Sequence, residues 1–122
     1  MRPSWSTRKT ASAALQASGF SQGAIKAEPK AAAEGYARAS LGAHPGFNAD
    51  CVTVNAYMGL DTLAPFLALA EREAKGVAVL VRTSNVGARD IQDLDVGGSP
   101  VWLRLAEMLA PLSDRLKGAN GW

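Results

Sequence analysis

The sequence predicts an α/β chain whose strands run parallel and are joined by helices. Three observations predict it. Two short β-branched runs, at residues 51–54 and 77–81, each end in a polar, glycine-containing turn that leads toward a helix. Helical patterns precede, separate and follow these runs, giving the order helix, strand, helix, strand, helix. Alternation of this kind specifies right-handed crossovers and a parallel sheet. Finally, a strand, its polar turn and the next helix form the unit of a parallel barrel, where chemistry sits at the strand's C-terminal end. A complete barrel takes roughly 250 residues. The 122 residues here are therefore expected to hold about half of one.

Residues 1–27 stand apart from the rest. They contain Arg2, Arg8, Lys9 and Lys26 but no acid, and they are rich in Ser, Ala and Gly. With so few large apolar residues they read as an irregular or mobile N-terminal arm. A mitochondrial-type presequence has a similar composition. Residues 28–122 form the expected domain. Its first helix begins at Glu28, with Pro29 in the first turn, where a missing N–H costs nothing. Ala31, Ala32, Ala33, Tyr36, Ala37, Ala39 and Leu41 continue it, and Gly42 is placed to end it. His44-Pro45-Gly46 is a turn.

The run from Cys51 reads as a buried strand, followed by a turn over residues 55–59. Asp61 or Thr62 is placed to N-cap the second helix, with Pro65 in its first turn. Leu63, Phe66, Leu67 and Ala70 form its core stripe, Glu71, Arg72, Glu73 and Lys75 its solvated end, and Gly76 its stop. The second strand is continuously apolar, the pattern of a strand buried on both faces. A long polar loop covers residues 83–98, with a helical turn at 90–94. Ser99-Pro100 then reads as an N-cap and N1 pair. The last helix is expected to bury Val101, Leu103, Leu105, Met108 and Leu109, and to kink or break at Pro111.

Composition excludes several classes. A net charge of +2 is too small to argue for nucleic acid. No apolar run is long enough to cross a membrane. The single cysteine, Cys51, forbids an intrachain disulfide and favours a reducing compartment, and the first residues show no secretory signal. Cytoplasm is the expected location.

The candidate chemistry lies at the strand ends. Arg82-Thr83-Ser84-Asn85 places hydroxyl, amide and backbone N–H groups where the second strand ends, and these suit a planar polar ligand. On spacing alone the plainer reading is an Asx- or ST-turn. Asn55 ends the first strand in the same way, either facing a ligand or capping the turn with Tyr57. Asp61 reads as a cap rather than an acid. Asp90, Asp93 and Asp95 share a loop without a His or Cys nearby, so no metal site is read there. His44 is an exposed turn residue, Cys51 a packing residue and Trp102 a cover for the core. Phosphate loops, dinucleotide fingerprints and nucleophile elbows are lacking.

Two motifs carry a family resemblance. Asp50-Cys-Val-Thr-Val-Asn-Ala-Tyr-Met-Gly-Leu-Asp61 resembles the segment that orotidine 5′-phosphate decarboxylases write as Asp-Ala-Val-Thr-Val-Asn-Pro-Tyr-Leu-Gly-x-Asp, with Ala56 in place of the usual proline. Arg82-Thr-Ser-Asn-Val-Gly-Ala-Arg-Asp-Ile-Gln-Asp-Leu94 resembles that family's Arg-Thr-Ser-Asn-Pro-Gly loop and the Gln-containing segment after it. Ala33-Glu-Gly-Tyr-Ala-Arg-Ala39 resembles the helix before the first of these strands. The likeness runs from about residue 33 to 122 and is greatest to the longer bacterial subgroup.

The resemblance implies a phosphate-binding (β/α)8 barrel of the TIM type, usually a homodimer with active sites at the interface. It implies conversion of orotidine 5′-monophosphate to uridine 5′-monophosphate and carbon dioxide, with no cofactor or metal. In that chemistry an alternating Lys/Asp array destabilises the substrate carboxylate, and a lysine protonates C6. Ser84 matches the serine that contacts the pyrimidine, and Thr83 and Asn85 flank it.

The sequence departs from the family at Asp-x-Lys-x-x-Asp-Ile-x-x-Thr. Counting back from Ala33 puts Gly23, Ile25, Glu28, Pro29 and Ala32 at the first Asp, the Lys, the second Asp, the Ile and the Thr. Lys26 and Glu28 are the nearest charges, and a one-residue shift along a strand turns a side chain to the other face. The family's later Gly-rich phosphate-binding strands do not occur in this sequence. The chain is accordingly expected to be a fragment that is inactive alone. The alternatives are a different phosphate-barrel decarboxylase or aldolase, and a non-catalytic, self-associating half-barrel.

Overall fold

The computed structural model describes residues 29–119. Helix α1 spans Pro29–Leu41, strand β1 Cys51–Asn55, helix α2 Ala64–Glu73, strand β2 Gly76–Leu80 and helix α3 Val101–Arg115. Short 3₁₀ turns occupy Leu60–Thr62 and Val86–Asp90. The element order is the expected one. The strands pair in parallel, with Cys51 opposite Gly76 and Asn55 opposite Leu80, so both C-terminal ends lie at one edge. The 1–27 arm and Glu28 lie outside the described residues.

The sheet is covered on one face. Val52 and Val54 pair with Val77 and Val79, and all four pack against the helices. The alternate positions Cys51, Thr53, Asn55, Ala78 and Leu80 are exposed. This corrects the expectation of strands buried on both faces. Among the described residues nothing lies over the second face, so period-2 alternation appears in solvent exposure even though the sequence of β2 is uniformly apolar. Cys51, expected to pack, is on the open side for the same reason.

Helix α1 buries Ala33, Ala37 and Leu41, one residue per turn. These small side chains let α1 lie close to Leu69 and Ala70 of α2. A second cluster joins Val54, Ala56 and Leu63 to Leu105 and Leu109 of α3. Leu41 and Leu63 are almost wholly buried, each contributing about 1.5–3 kcal/mol of apolar transfer. Helix α3 is only half-covered and has no fully buried residue. Met108, expected in the core, is 52% exposed. A cleft of about 430 Å³ separates α3 from α2 and β2, lined by Leu67, Val77, Leu109 and Leu112 among others.

Several terminus assignments differ from the sequence reading. Neither Asp61 nor Thr62 caps α2. The preceding 3₁₀ turn runs straight into the helix, with Leu63 at the cap in a helical conformation and no side-chain cap bond. The Thr62 hydroxyl instead donates back to the Gly59 carbonyl at 2.8 Å. At the other end Ala74, not Gly76, ends the helix, in a left-handed conformation at φ 54°. Lys75 N–H then reaches the Ala70 carbonyl at 2.8 Å, the wrapped ending usually given to glycine. Gly76 opens β2, where a Cβ would lie 3.1 Å from Cys51 Sγ.

Pro100, not Ser99, caps α3. The helix's first N–H groups are taken by loop carbonyls, Val101 by Leu94 at 2.9 Å and Trp102 by Gln92 at 3.0 Å. Pro111 does not break α3, which continues to Arg115. It sits on the exposed side, where solvent can take the carbonyl it leaves unpaired.

The loop after α1 folds back over the helix end. Phe47, Asn48 and Ala49 donate to the carbonyls of Ala39, Gly42 and Ser40 at 2.8–3.0 Å, satisfying groups that a helix terminus leaves open. This wrap needs Gly46, because a Cβ there would run into the carbonyls of Gly42 and Arg38. Replacing Gly46 with alanine is expected to cost about 1–3 kcal/mol, read as a lower urea midpoint at unchanged m-value.

Candidate functional site at the strand ends

Each strand hands over to a turn that its own side chains close. After β1, Asn55 Oδ1 accepts the Tyr57 N–H at 2.8 Å, an Asx-turn. Ala56 beneath it is buried, while Tyr57 and Met58 project outward at 79% and 57% exposure. Asp61 is exposed and resolves no role beyond the turn.

After β2 the chain makes two successive attachments. Arg82 forms a two-pronged ion pair with Asp93, at 2.9 and 3.0 Å. The next residue, Thr83, receives both ends of the Gln92 carboxamide. Gln92 Oε1 accepts the Thr83 backbone N–H at 2.7 Å, and Nε2 donates to Thr83 Oγ1 at 2.9 Å. The Thr83 hydroxyl donates onward to Asn85 Oδ1 at 2.6 Å. Consecutive residues at the strand end are thus fastened to consecutive residues of the loop. The 3₁₀ turn between them buries Ala88 and returns the chain.

The four candidates at the strand ends therefore differ. Thr83 is half-buried and its hydroxyl is used as both donor and acceptor. Asn85 accepts from Thr83, and Asn55 closes its own turn. Ser84 is exposed, and no hydrogen bond among the described residues engages its hydroxyl. Lys26 and Glu28 lie outside the described residues. Gln92 and Asp93 were not singled out as site residues from the sequence. The signal available was their adjacency, matching the adjacency of Arg82 and Thr83. Asp95 serves its own turn by accepting the Gly98 N–H at 3.1 Å. Among the described residues no group of three or more His, Cys, Asp or Glu gathers to hold a metal. No helix among them is long and apolar enough to cross a membrane.

No family model matches the chain. Orotidine 5′-phosphate decarboxylase of Janthinobacterium sp. (strain Marseille) is 48% identical over 80 residues, covering 66% of this chain and 27% of that protein. The enzyme of that name from Clostridium perfringens (strain SM101 / Type A) is 42% identical over 93 residues, covering 75% and 32%. A solved structure from Toxoplasma gondii, described as an orotidine-monophosphate decarboxylase, superposes with a TM-score of 0.63 at 36% identity. It covers 77% of this chain and 31% of that one.

The chain is homologous to part of orotidine 5′-phosphate decarboxylase. It spans less than a third of the length of the curated decarboxylases it matches, at 27% and 32%. The structural likeness to the Toxoplasma decarboxylase is a mixed α/β one, built here on a small parallel sheet.

Electrostatics set a pH limit on the loop attachment. The hydrogen bond from Arg82 holds the Asp93 carboxyl below its ordinary value, against a smaller opposing effect of desolvation. The same bond raises the Arg82 guanidinium. A carboxyl whose value falls on folding adds stability above its unfolded value, and that contribution is lost as pH drops through the lowered one. The Arg82–Asp93 pair should thus stay intact from neutral pH down through the range in which an unfolded-chain aspartate titrates, and open only at lower pH. A carbon-detected NMR titration of the Asp93 carboxyl should give a midpoint below that of an unfolded-chain aspartate, and Arg82→Ala should bring it back up.

Proposed function

We propose that this chain is a segment of an orotidine 5′-phosphate decarboxylase, a partial (β/α)8 barrel of the phosphate-binding type. The observation that carries the reading is the parallel pair itself. Its two strands end at one edge in the two motifs that resemble the family, within a segment 48% identical to a decarboxylase. In a barrel that edge is where substrate binds.

In this reading the substrate is orotidine 5′-monophosphate and the product uridine 5′-monophosphate. The exposed Ser84 hydroxyl contacts the pyrimidine, with Thr83 and Asn85 beside it and Asn55 at the neighbouring strand end. Lys26 and Glu28 are the nearest charges in this chain to the family's Lys/Asp array, and both are displaced from its spacing. A decarboxylase needs that array to disfavour the substrate carboxylate and stabilise carbanion character at C6. The complete enzyme is a cytoplasmic homodimer and uses no cofactor or metal. Neither nucleic acid nor a membrane is a partner.

A second reading rests on the open sheet face. Leu80 is 43% exposed there, beside Ala78 and Thr53, and open strand edges invite pairing. A non-catalytic, self-associating half-barrel would use that face. The Arg82-Thr-Ser-Asn85 sequence speaks against another phosphate-barrel decarboxylase or aldolase.

The test has two stages. The purified 122-residue chain is expected to release no carbon dioxide from carboxyl-labelled orotidine 5′-monophosphate. Residues 33–119 are then substituted for the homologous stretch of the Janthinobacterium decarboxylase, and this chimera is expected to turn over. In the chimera Ser84→Ala removes one hydrogen bond, worth about 1–1.5 kcal/mol, so kcat/KM should fall roughly tenfold. A folded chimera without activity would sink the reading. A stable oligomer of the 122-residue chain that is indifferent to nucleotide would favour the second one.

A further inference from the structure

Ser84 has no attachment of its own among the described residues, yet its two neighbours are both held. Thr83 is held by the planar carboxamide of Gln92, which grips its backbone N–H at 2.7 Å and its hydroxyl at 2.9 Å. Two contacts from one rigid plane fix the peptide preceding Thr83 and the rotamer of its side chain together. The fixed hydroxyl has one proton, and it goes to Asn85 at 2.6 Å. The residue after Ser84 is thereby set by the residue before it. Direction matters along this chain of bonds. The Gln92 Nε2 donates, which frees the Thr83 proton to point at Asn85.

Gln92 is itself anchored. Its backbone N–H donates to the Ala88 carbonyl at 2.8 Å, and its carbonyl accepts from Trp102 N–H, in the first turn of α3, at 3.0 Å. Its side chain is half-buried rather than solvated. Asp93 beside it holds Arg82, so the loop backbone that carries Gln92 cannot leave the strand end without breaking an ion pair. Gln92 is the point at which the strand end, the 3₁₀ turn and α3 meet.

We propose that Gln92 is the positioning residue for Ser84. It fixes the backbone that carries Ser84 by holding Thr83 and, through it, Asn85, without touching ligand itself. The role of Ser84 as a pyrimidine contact rests on the decarboxylase reading above; the positioning of Ser84 by Gln92 does not. Glutamate at this position keeps the acceptor for the Thr83 N–H but loses the donor. The Thr83 proton then turns to the carboxylate and abandons Asn85.

The test uses the full chain labelled with nitrogen-15 and compares Gln92→Ala with Gln92→Glu. Protection of the Thr83 amide from hydrogen exchange should fall at least tenfold in Gln92→Ala and be kept in Gln92→Glu. In both variants the Asn85 side-chain amide signals should shift, and the Ser84 backbone amide should shift with them. Uridine 5′-monophosphate is then added. If it shifts the Ser84 amide of the wild-type chain, that shift should shrink in both variants. If it shifts nothing in wild type, the pyrimidine role of Ser84 falls, while the Asn85 and Ser84 amide signals still judge Gln92. Asn85 side-chain and Ser84 backbone amides that stay unmoved in Gln92→Glu would overturn the proposal, whatever happens to thermal stability. Should Gln92→Ala fail to fold, the Glu variant alone decides.

Discussion

The parallel pairing of β1 with β2 is the constraint on which everything else hangs. Its register puts Val52 and Val54 beside Val77 and Val79, so a single apolar surface faces the helices. The same register brings the two strand ends level. A shift of β2 by one residue would turn Val77 and Val79 outward and Ala78 and Leu80 inward, and would put the turn after Asn55 out of step with the loop after β2. Three hydrogen bonds at the opposite end of the strands resist such a shift. Gly76 N–H donates to the Asp50 carbonyl at 2.8 Å, and Lys75 Nζ reaches Asn48 Oδ1 and the Ala49 carbonyl at 2.7 and 2.8 Å.

The helices answer to this pair in different ways. Helices α1 and α2 interlock through alanine and leucine, and their cluster reaches Val52 and Val77 of the sheet. Helix α3 touches it through Leu105 and Leu109 and is otherwise hung from the loop by backbone bonds at Val101 and Trp102. The strand-end loop is consequently more than a connector. Its carbonyls begin α3, and its Gln92 and Asp93 side chains close β2.

Much of this was legible in the residues. Element order followed from hydrophobic patterning, alternating in β1, continuous in β2 and helical in α2, and strand direction from the helix between the two strands. The strand-end location of the polar groups followed as well. What failed to show were features set by distant neighbours. Burial of β2 on both faces was inferred from Val77–Ala78–Val79–Leu80, but an apolar run records what a strand tolerates and not what covers it. The caps failed for a related reason. Asp61, Thr62 and Ser99 are good cap residues, yet the 3₁₀ turn and the loop carbonyls reached the helix N–H groups first. Gly76 looked like a helix stop because glycine relieves the cost of a left-handed residue. The chain instead places Ala74 there and keeps glycine opposite Cys51, where a side chain would crowd the strand pair. The Gln92 grip on Thr83 spans nine residues of loop, a distance over which local propensity carries no information.

The uneven burial of the helices gives the molecule two tiers of cooperativity. Most of the buried residues lie in α1, β1, α2 and the turn before α2, and β2 packs on them through Val77 and Val79, which makes these elements the better protected tier. Helix α3, with half-covered side chains, belongs to a tier that separates at lower free energy. The Thr83–Gln92 contact lies on the seam between these tiers. Order at the polar strand end is therefore thermodynamically linked to the docking of α3 more than twenty ångströms of helix long, by the usual rise of about 1.5 Å per residue. Whatever presses that helix onto the sheet also organises the loop, and whatever lifts it away loosens the loop with no change to a single residue of the site.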